Sequence, residues 1–305
     1  MNLPSPIQSL NSDLFKEKGV AVYVKRDDLI HPVISGNKWR KLKLNIEQFK
    51  VGGYEHLLTF GGAYSNHIAA TARAGKELGI STIGIIRGDE LDASTNDTLR
   101  QAAEDGMQLV FTAREEYALR SEKYYQEELR RRHGHLWIVP EGGANFLGMM
   151  GCVEITREIE VDHSHLITAC GTGTTASGLL YGSQETEIIG VSALKNGSFL
   201  KDEIKQLLML GGLLQSEVTD AMNRFQLLDE FHFGGYAKQT KELINFMNEF
   251  FQEYKLPLDY VYSAKMFYAL HQLIQSDYFK PGSCIVALHT GGLQGNQSIS
   301  KQLLF

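Results

Sequence analysis

Four strand-like apolar segments of this chain run into glycine. The turns that follow them read Gly61-Gly62-Ala63-Tyr64-Ser65-Asn66-His67, Glu141-Gly142-Gly143-Ala144-Asn145, Gly171-Thr172-Gly173-Thr174-Thr175 and His289-Thr290-Gly291-Gly292. Residues 20–25, 57–60, 81–87, 108–112, 136–139, 166–170, 187–192 and 284–289 read as strands, several nearly continuous in apolar character, as strands buried on both faces are. Between them apolar residues recur at helical spacing, for example Trp39, Leu42, Ile46 and Phe49, or Leu243, Phe246, Met247 and Phe250. This alternation predicts an α/β fold with parallel sheets and crossover helices. Ligands of such sheets bind beyond the carboxyl ends of the strands, so the four loops are expected on one edge, lining one crevice. A length of 305 residues suits two domains. No Pro- or Ser-rich linker marks a boundary, so the chain is expected to pass between them more than once.

Several classes fall away on composition. Lys plus Arg is 30 and Asp plus Glu is 36, a net charge of −6, which argues against a nucleic-acid partner. Cys152, Cys170 and Cys284 are scattered and form no CxxC pair, which fits a reducing intracellular compartment. No apolar run approaches the roughly 18 residues of a membrane span, and residues 1–6 lack the order of a signal peptide. A cytoplasmic location with no membrane partner is expected. His133 with His135 and His163 with His165 read as exposed loop histidines, and no metal site is expected. Residues 114–133 read as one solvated helix, with Arg130, Arg131 and Arg132 at its C-terminal end, where cations suit the dipole.

The loop 171–175 opens a helix expected around residues 174–181. Successive N–H groups there, two glycines that permit close approach and three threonine hydroxyls make a phosphate cradle. Gly171, Gly173 and Ala176 also satisfy a dinucleotide pattern. The Asp or Glu expected about 20 residues on to hold a ribose is missing from residues 190–196, which disfavours a nicotinamide enzyme. In Ser35-Gly36-Asn37-Lys38, Ser35 or Asn37 can cap a helix and place Lys38 in its first turn, where the helix field favours the neutral amine that Schiff-base chemistry needs. Taken alone, Lys38 reads as a surface lysine beside Arg40, Lys41 and Lys43. Ser65 reads either as a plain helix cap or, with the first N–H groups of its helix, as a carboxylate site. An amine, a phosphate cradle and a carboxylate site together are what a pyridoxal phosphate enzyme acting on amino acids requires.

These motifs, with Lys25-Arg26-Asp27-Asp28 and with Tyr262 ahead of Lys265, occur in an order that resembles the 1-aminocyclopropane-1-carboxylate deaminase and D-cysteine desulfhydrase family, over about residues 20–292. The resemblance implies the tryptophan synthase β-like fold (fold type II of pyridoxal phosphate enzymes). It implies two open parallel α/β domains, a smaller one at residues 46–150 inserted in a larger one built from 1–45 and 151–305. It also implies pyridoxal 5'-phosphate as cofactor, a small amino acid as substrate and a homodimer. By this resemblance Lys38 is the lysine that joins the cofactor. Asn66 faces the pyridine 3-hydroxyl, and Gly171, Thr172, Gly173, Thr174 and Thr175 hold the phosphate. Thr290 meets the pyridine nitrogen, Ser65, Asn66 and His67 bind the substrate, and Ser65, Tyr236 and Tyr262 join Lys38 in catalysis. The expected reaction is deamination of a D-cysteine-like or 1-aminocyclopropane-1-carboxylate-like amino acid to a 2-oxo acid and ammonia, with sulfide from cysteine. Ser-Asn-His resembles the desulfhydrases, and Ser263 stands where the deaminases carry Glu, so the desulfhydrase branch is favoured. The same departure leaves open a homologue that binds cofactor and amino acid without deaminating.

Overall fold

The structure, a computed structural model, describes residues 1–34 and 36–305; Ser35, named above as a helix cap, lies outside the described residues. Among the described residues ten strands form two sheets. They are β1 (Ile7–Leu10), β2 (Ala21–Lys25), β3 (His56–Gly61), β4 (Thr82–Arg87), β5 (Gln108–Thr112), β6 (Leu136–Val139), β7 (His165–Cys170), β8 (Glu187–Ser192), β9 (Phe225–Leu228) and β10 (Cys284–Leu288). The first sheet has the order β1-β2-β10-β7-β8-β9, parallel except for the antiparallel β1–β2 pair. The second has the order β5-β4-β3-β6 and is parallel throughout.

Every expected strand is present with its ends within one residue. The two that the pattern misses, β1 and β9, are edge strands of four residues whose sequences, IQSL and FQLL, include solvent-facing polar residues. An edge strand has one neighbour and a half-wet face, so it need not be continuously apolar. The four glycine loops do not share one edge. Those after β3 and β6 belong to the second sheet, and those after β7 and β10 to the first.

The chain folds into two compact units, a first of Met1–His31, Ser35–Asn37 and Cys152–Phe305 and a second of Pro32–Ile34 and Lys38–Gly151. The sequence reading starts the second unit at Ile46, whereas in the structure the whole helix from Lys38 onward packs with it. The cause lies in the helix Asn37–Val51, whose stripe of Leu42, Ile46 and Phe49 packs with Ile34, Leu57, Ala70, Ala74 and Val139. The core of the first unit gathers Val24, Ile167, Ile189, Ile285, Ala264 and Phe267. Residues 114–133 are not one helix: Arg114–Ala118 and Lys123–His133 are separated by a 3₁₀ turn at Leu119–Ser121. Nor are they wholly solvated, since Tyr117, Tyr125 and Leu129 are buried with Phe60 and Ile85. No helix among the described residues is long and apolar enough to cross a membrane.

Leu42 is fully buried in the second unit's core. Leu42→Ala is expected to cost about 2–5 kcal/mol, read as a lower urea midpoint with little change in slope.

Candidate active site

In the first unit β2, β10 and β7 are adjacent and parallel, so the segments that follow them leave the same sheet edge. After β2 the Asp27 carbonyl accepts the Gly36 N–H at 2.8 Å, and the Asp28 N–H donates to the His289 carbonyl at 3.0 Å. Beneath this turn the Lys25 ammonium, fully buried, donates to the Ser5 carbonyl at 2.6 Å and to Glu158 at 2.8 Å, while Ser5 Oγ donates to Asp27 at 2.6 Å. The charged run 25–28 is thus a foundation for residues 36–37. Gly36 has φ +63°, and a Cβ there would lie 1.6 Å from the Thr290 carbonyl oxygen, so no other residue fits. Asn37, also buried, donates through Nδ2 to Thr175 Oγ1 at 2.9 Å. Lys38 is the next residue along the chain and stands, as expected, in the first turn of its helix.

After β7 comes the loop 171–175. Gly173 (φ +71°) caps the helix Thr174–Gly182 without any side chain, which leaves the first N–H groups of the helix open to an anion. The hydroxyls of Thr172 and Thr174 lie 2.9 Å apart at its start. The Tyr262 ring lies on this loop, since a Cβ on Gly171 would come within 3.0 Å of its Cε1. Tyr236 meets Tyr262 edge-on with ring centroids 6.0 Å apart. Thr290 is buried.

Tyr262 is itself held by Asp259, a fully buried residue that the motifs do not single out. Its carboxylate accepts the N–H groups of Val261, Tyr262 and Ser263 at 2.8–3.0 Å and the Ser263 hydroxyl at 2.7 Å. The Ser263 hydroxyl is therefore committed to Asp259. The visible signal was an Asp four residues ahead of a Ser at a helix start.

In the second unit Ser65 caps the helix Asn66–Leu78, its Oγ accepting from Ile68 N–H at 3.3 Å, which leaves the N–H groups of Asn66 and His67 at the open first turn. Asn66 Oδ1 is buried with no hydrogen-bond partner among the described residues. The His67 side chain faces inward. Its ring is buried, with Nε2 2.9 Å from Thr59 Oγ1, and that hydroxyl donates onward to the Val139 carbonyl at 2.8 Å. Thr59 must therefore accept from His67 Nε2–H, which makes Nδ1 an unprotonated acceptor, buried and without a partner among the described residues. Burial, with smaller contributions from the charges of Lys38 and Lys41, lowers its pKa to about 3. The His67 side chain is thus committed to the unit's interior, and only its main-chain N–H stands at the open first turn. Thr59, the lone hydroxyl between Leu58 and Phe60 in a buried strand, was the available sign. The surface reading of the basic run also fails, because Arg40 and Lys41 are buried. Gly143 brings the second sheet's other glycine turn against both Lys41 and His67.

In the first unit the helix start left open at Gly173 beside three threonines suits a phosphate, and in the second unit the buried, unpartnered Asn66 Oδ1 suits a hydroxyl donor. The comparisons agree. The family described as "pyridoxal-phosphate dependent enzyme" matches residues 2–291, and the chain belongs to it. The chain is 31% identical to a protein of Pyrococcus horikoshii provisionally named a 1-aminocyclopropane-1-carboxylate deaminase, over 98% of this chain and 93% of that one. It is 28% identical to the D-cysteine desulfhydrase of Serratia proteamaculans, over 94% and 91%. A crystal structure of a 1-aminocyclopropane-1-carboxylate deaminase homologue superposes with a TM-score of 0.83 at 28% identity, covering 99% of this chain and 94% of that one. The fold is therefore fold type II, and the cofactor is pyridoxal phosphate.

His67 supplies an acid-sensitivity test. Its folded pKa lies below its unfolded value, so as pH falls from 6.5 toward 3 the unfolded chain takes up a proton that the folded chain refuses. The stability contribution is complete above pH 6.5 and is lost as pH falls toward 3. His67→Gln is expected to reduce the pH slope of unfolding free energy in that window by up to about 1.4 kcal/mol per pH unit, measured by urea titration at several pH values.

Proposed function

We propose that this enzyme expels a β leaving group from, or opens the strained ring of, a small amino acid and releases a 2-oxo acid and ammonia. D-cysteine-like substrates, which also release sulfide, are favoured over 1-aminocyclopropane-1-carboxylate. The observation that carries the preference is at Ser263, whose hydroxyl is bound to Asp259, so that the position after Tyr262 supplies no carboxylate. A neutral Thr290 hydroxyl assigned to the pyridine nitrogen does not hold it protonated as a carboxylate would. A weaker electron sink favours substrates that carry their own outlet for electrons. His67 in the Ser-Asn-His run points to the same branch.

Pyridoxal phosphate, when bound, accepts the electron pair set free as substrate bonds break. Lys38 would hold the cofactor covalently, and its amine, when free, would move the substrate proton. The N–H groups and hydroxyls of residues 171–175 receive the phosphate, and Asn66 faces the 3-hydroxyl. The substrate carboxylate sits on the N–H groups of Asn66 and His67 with the Ser65 hydroxyl. Tyr262 and Tyr236, with Ser65, handle the proton at the departing group.

Borohydride reduction followed by peptide mapping is expected to leave a pyridoxyl group on Lys38; its absence there would sink the assignment. Holo-protein incubated with D-cysteine, L-cysteine, D-serine and 1-aminocyclopropane-1-carboxylate should form 2-oxo acid fastest from D-cysteine. Faster turnover of the cyclopropane substrate would reverse the preference, and labelled Lys38 with no turnover of any of the four would favour a homologue that binds without deaminating, the reading that Ser263 also supports. Ser65→Ala should keep the cofactor's visible band, lower stability by about 1 kcal/mol through loss of the cap, and cut turnover about 10²-fold or more.

A further inference from the structure

The Tyr262 helix carries a buried cation with no part in the proposed chemistry. Lys265 is 1% exposed, and its ammonium donates to the Gly235 carbonyl at 2.8 Å and to the Ala193 carbonyl at 3.4 Å. Gly235 belongs to the loop that presents Tyr236, and Ala193 follows directly on β8. The loop is an unfavourable piece of backbone. Phe233, Gly234, Gly235 and Ala237 all have positive φ, at +50°, +94°, +119° and +52°. Two of these are not glycine, and such conformations persist only where the surroundings over-determine them.

The surroundings come from one helix face. Tyr262, Lys265 and Tyr268 follow one another at three-residue spacing on the helix Ser263–Gln275 and its cap. Tyr268 takes the Phe233 ring edge-on at 4.9 Å, Lys265 takes the Gly235 carbonyl, and Tyr262 takes the Tyr236 ring. On the other side Gly235 packs against Lys195, where a Cβ would come within 3.4 Å of the Lys195 Cβ.

We propose that Lys265 is a positioning residue: by clamping the Gly235 carbonyl to the end of β8, it holds the strained 233–237 loop so that Tyr236 meets Tyr262 beside the phosphate-binding loop. Burial of this ammonium is unfavourable, as its pKa shows: desolvation lowers it to about 8, against an opposing pull from Asp259. A side chain that only filled space here would be apolar, since a buried charge rarely stabilises more than a hydrophobic group of the same volume. The ammonium, donating to two main-chain carbonyls, instead gives geometry to a loop that has no regular structure of its own.

The proposal rests on the assignment of Tyr236 and Tyr262 to the active site, and its test reads the loop directly. Lys265→Met in the holoenzyme is expected to keep the cofactor's visible band and a thermal midpoint within a few degrees of the parent. Trypsin cleavage after the neighbouring Lys238 should then rise about tenfold or more, and kcat should fall about 10²-fold while KM changes little. Lys265→Arg, which keeps the donors, should restore protection of Lys238 at least in part. Unchanged cleavage in a folded Lys265→Met protein would overturn the proposal. Should Lys265→Met fail to fold, hydrogen exchange on the parent decides: the amides of Gly235 and Lys238, bonded within the loop to the His232 and Gly235 carbonyls, are expected to be protected, and exchange at the rate of a free peptide would overturn it. Because proteolysis and exchange need no substrate, they remain informative whatever the amino-acid panel returns.

Discussion

Everything assigned to Lys38 depends on how residues 36 and 37 are held. Asn37 reaches from the start of the lysine's helix to the Thr175 hydroxyl, and Gly36 lies so close to the Thr290 carbonyl that a methyl group would overlap it. A buried hydrogen bond of this kind contributes only about 1 kcal/mol net, but loss of one partner would leave a buried polar group unsatisfied at a cost of about 1–3 kcal/mol. The larger contribution is geometric. The segment has one way to pass, so residues 36 and 37 are fixed against Thr175 and Thr290. The buried Lys25, Glu158, Ser5 and Asp27 network supports that segment from below.

Buried charge is used in two opposite ways. Lys25 and Lys265 are buried amines whose donors are directed at carbonyls and a carboxylate that hold loops at the carboxyl ends of strands. His67 is kept neutral by burial and by the charges of Lys38 and Lys41, so its one proton is directed to Thr59. The contrast is chemical: a primary amine still has donors when desolvation lowers its pKa, whereas an imidazole that loses its charge becomes a donor on one side and an acceptor on the other.

Much of this was legible in the sequence. Continuous apolar runs gave the central strands because burial on both faces leaves no room for alternation, and the two edge strands escaped because they have a wet side. The turn between β7 and the helix after it was visible because Gly-Thr-Gly-Thr-Thr after a strand is a local feature, complete within five residues. The burial of Arg40, Lys41 and the His67 ring was not legible, for the opposite reason. Their burial depends on residues such as Gly143 and Val139, about a hundred and about seventy positions away, which no local pattern reports.

The sequence by itself determined the α/β class, the order of the central strands along the chain, the glycine loops and the family, because each of these is written in short-range periodicity or in residues that stand together. Only the tertiary structure decided that the glycine loops divide between two sheets, that the Ser263 hydroxyl is committed to Asp259, that the His67 ring turns inward to Thr59, and that Lys265 reaches the Tyr236 loop. Each of these is a choice of partner, made when strands far apart in sequence become neighbours. Buried polar groups must then take whichever donors and acceptors the packing brings within about 3 Å.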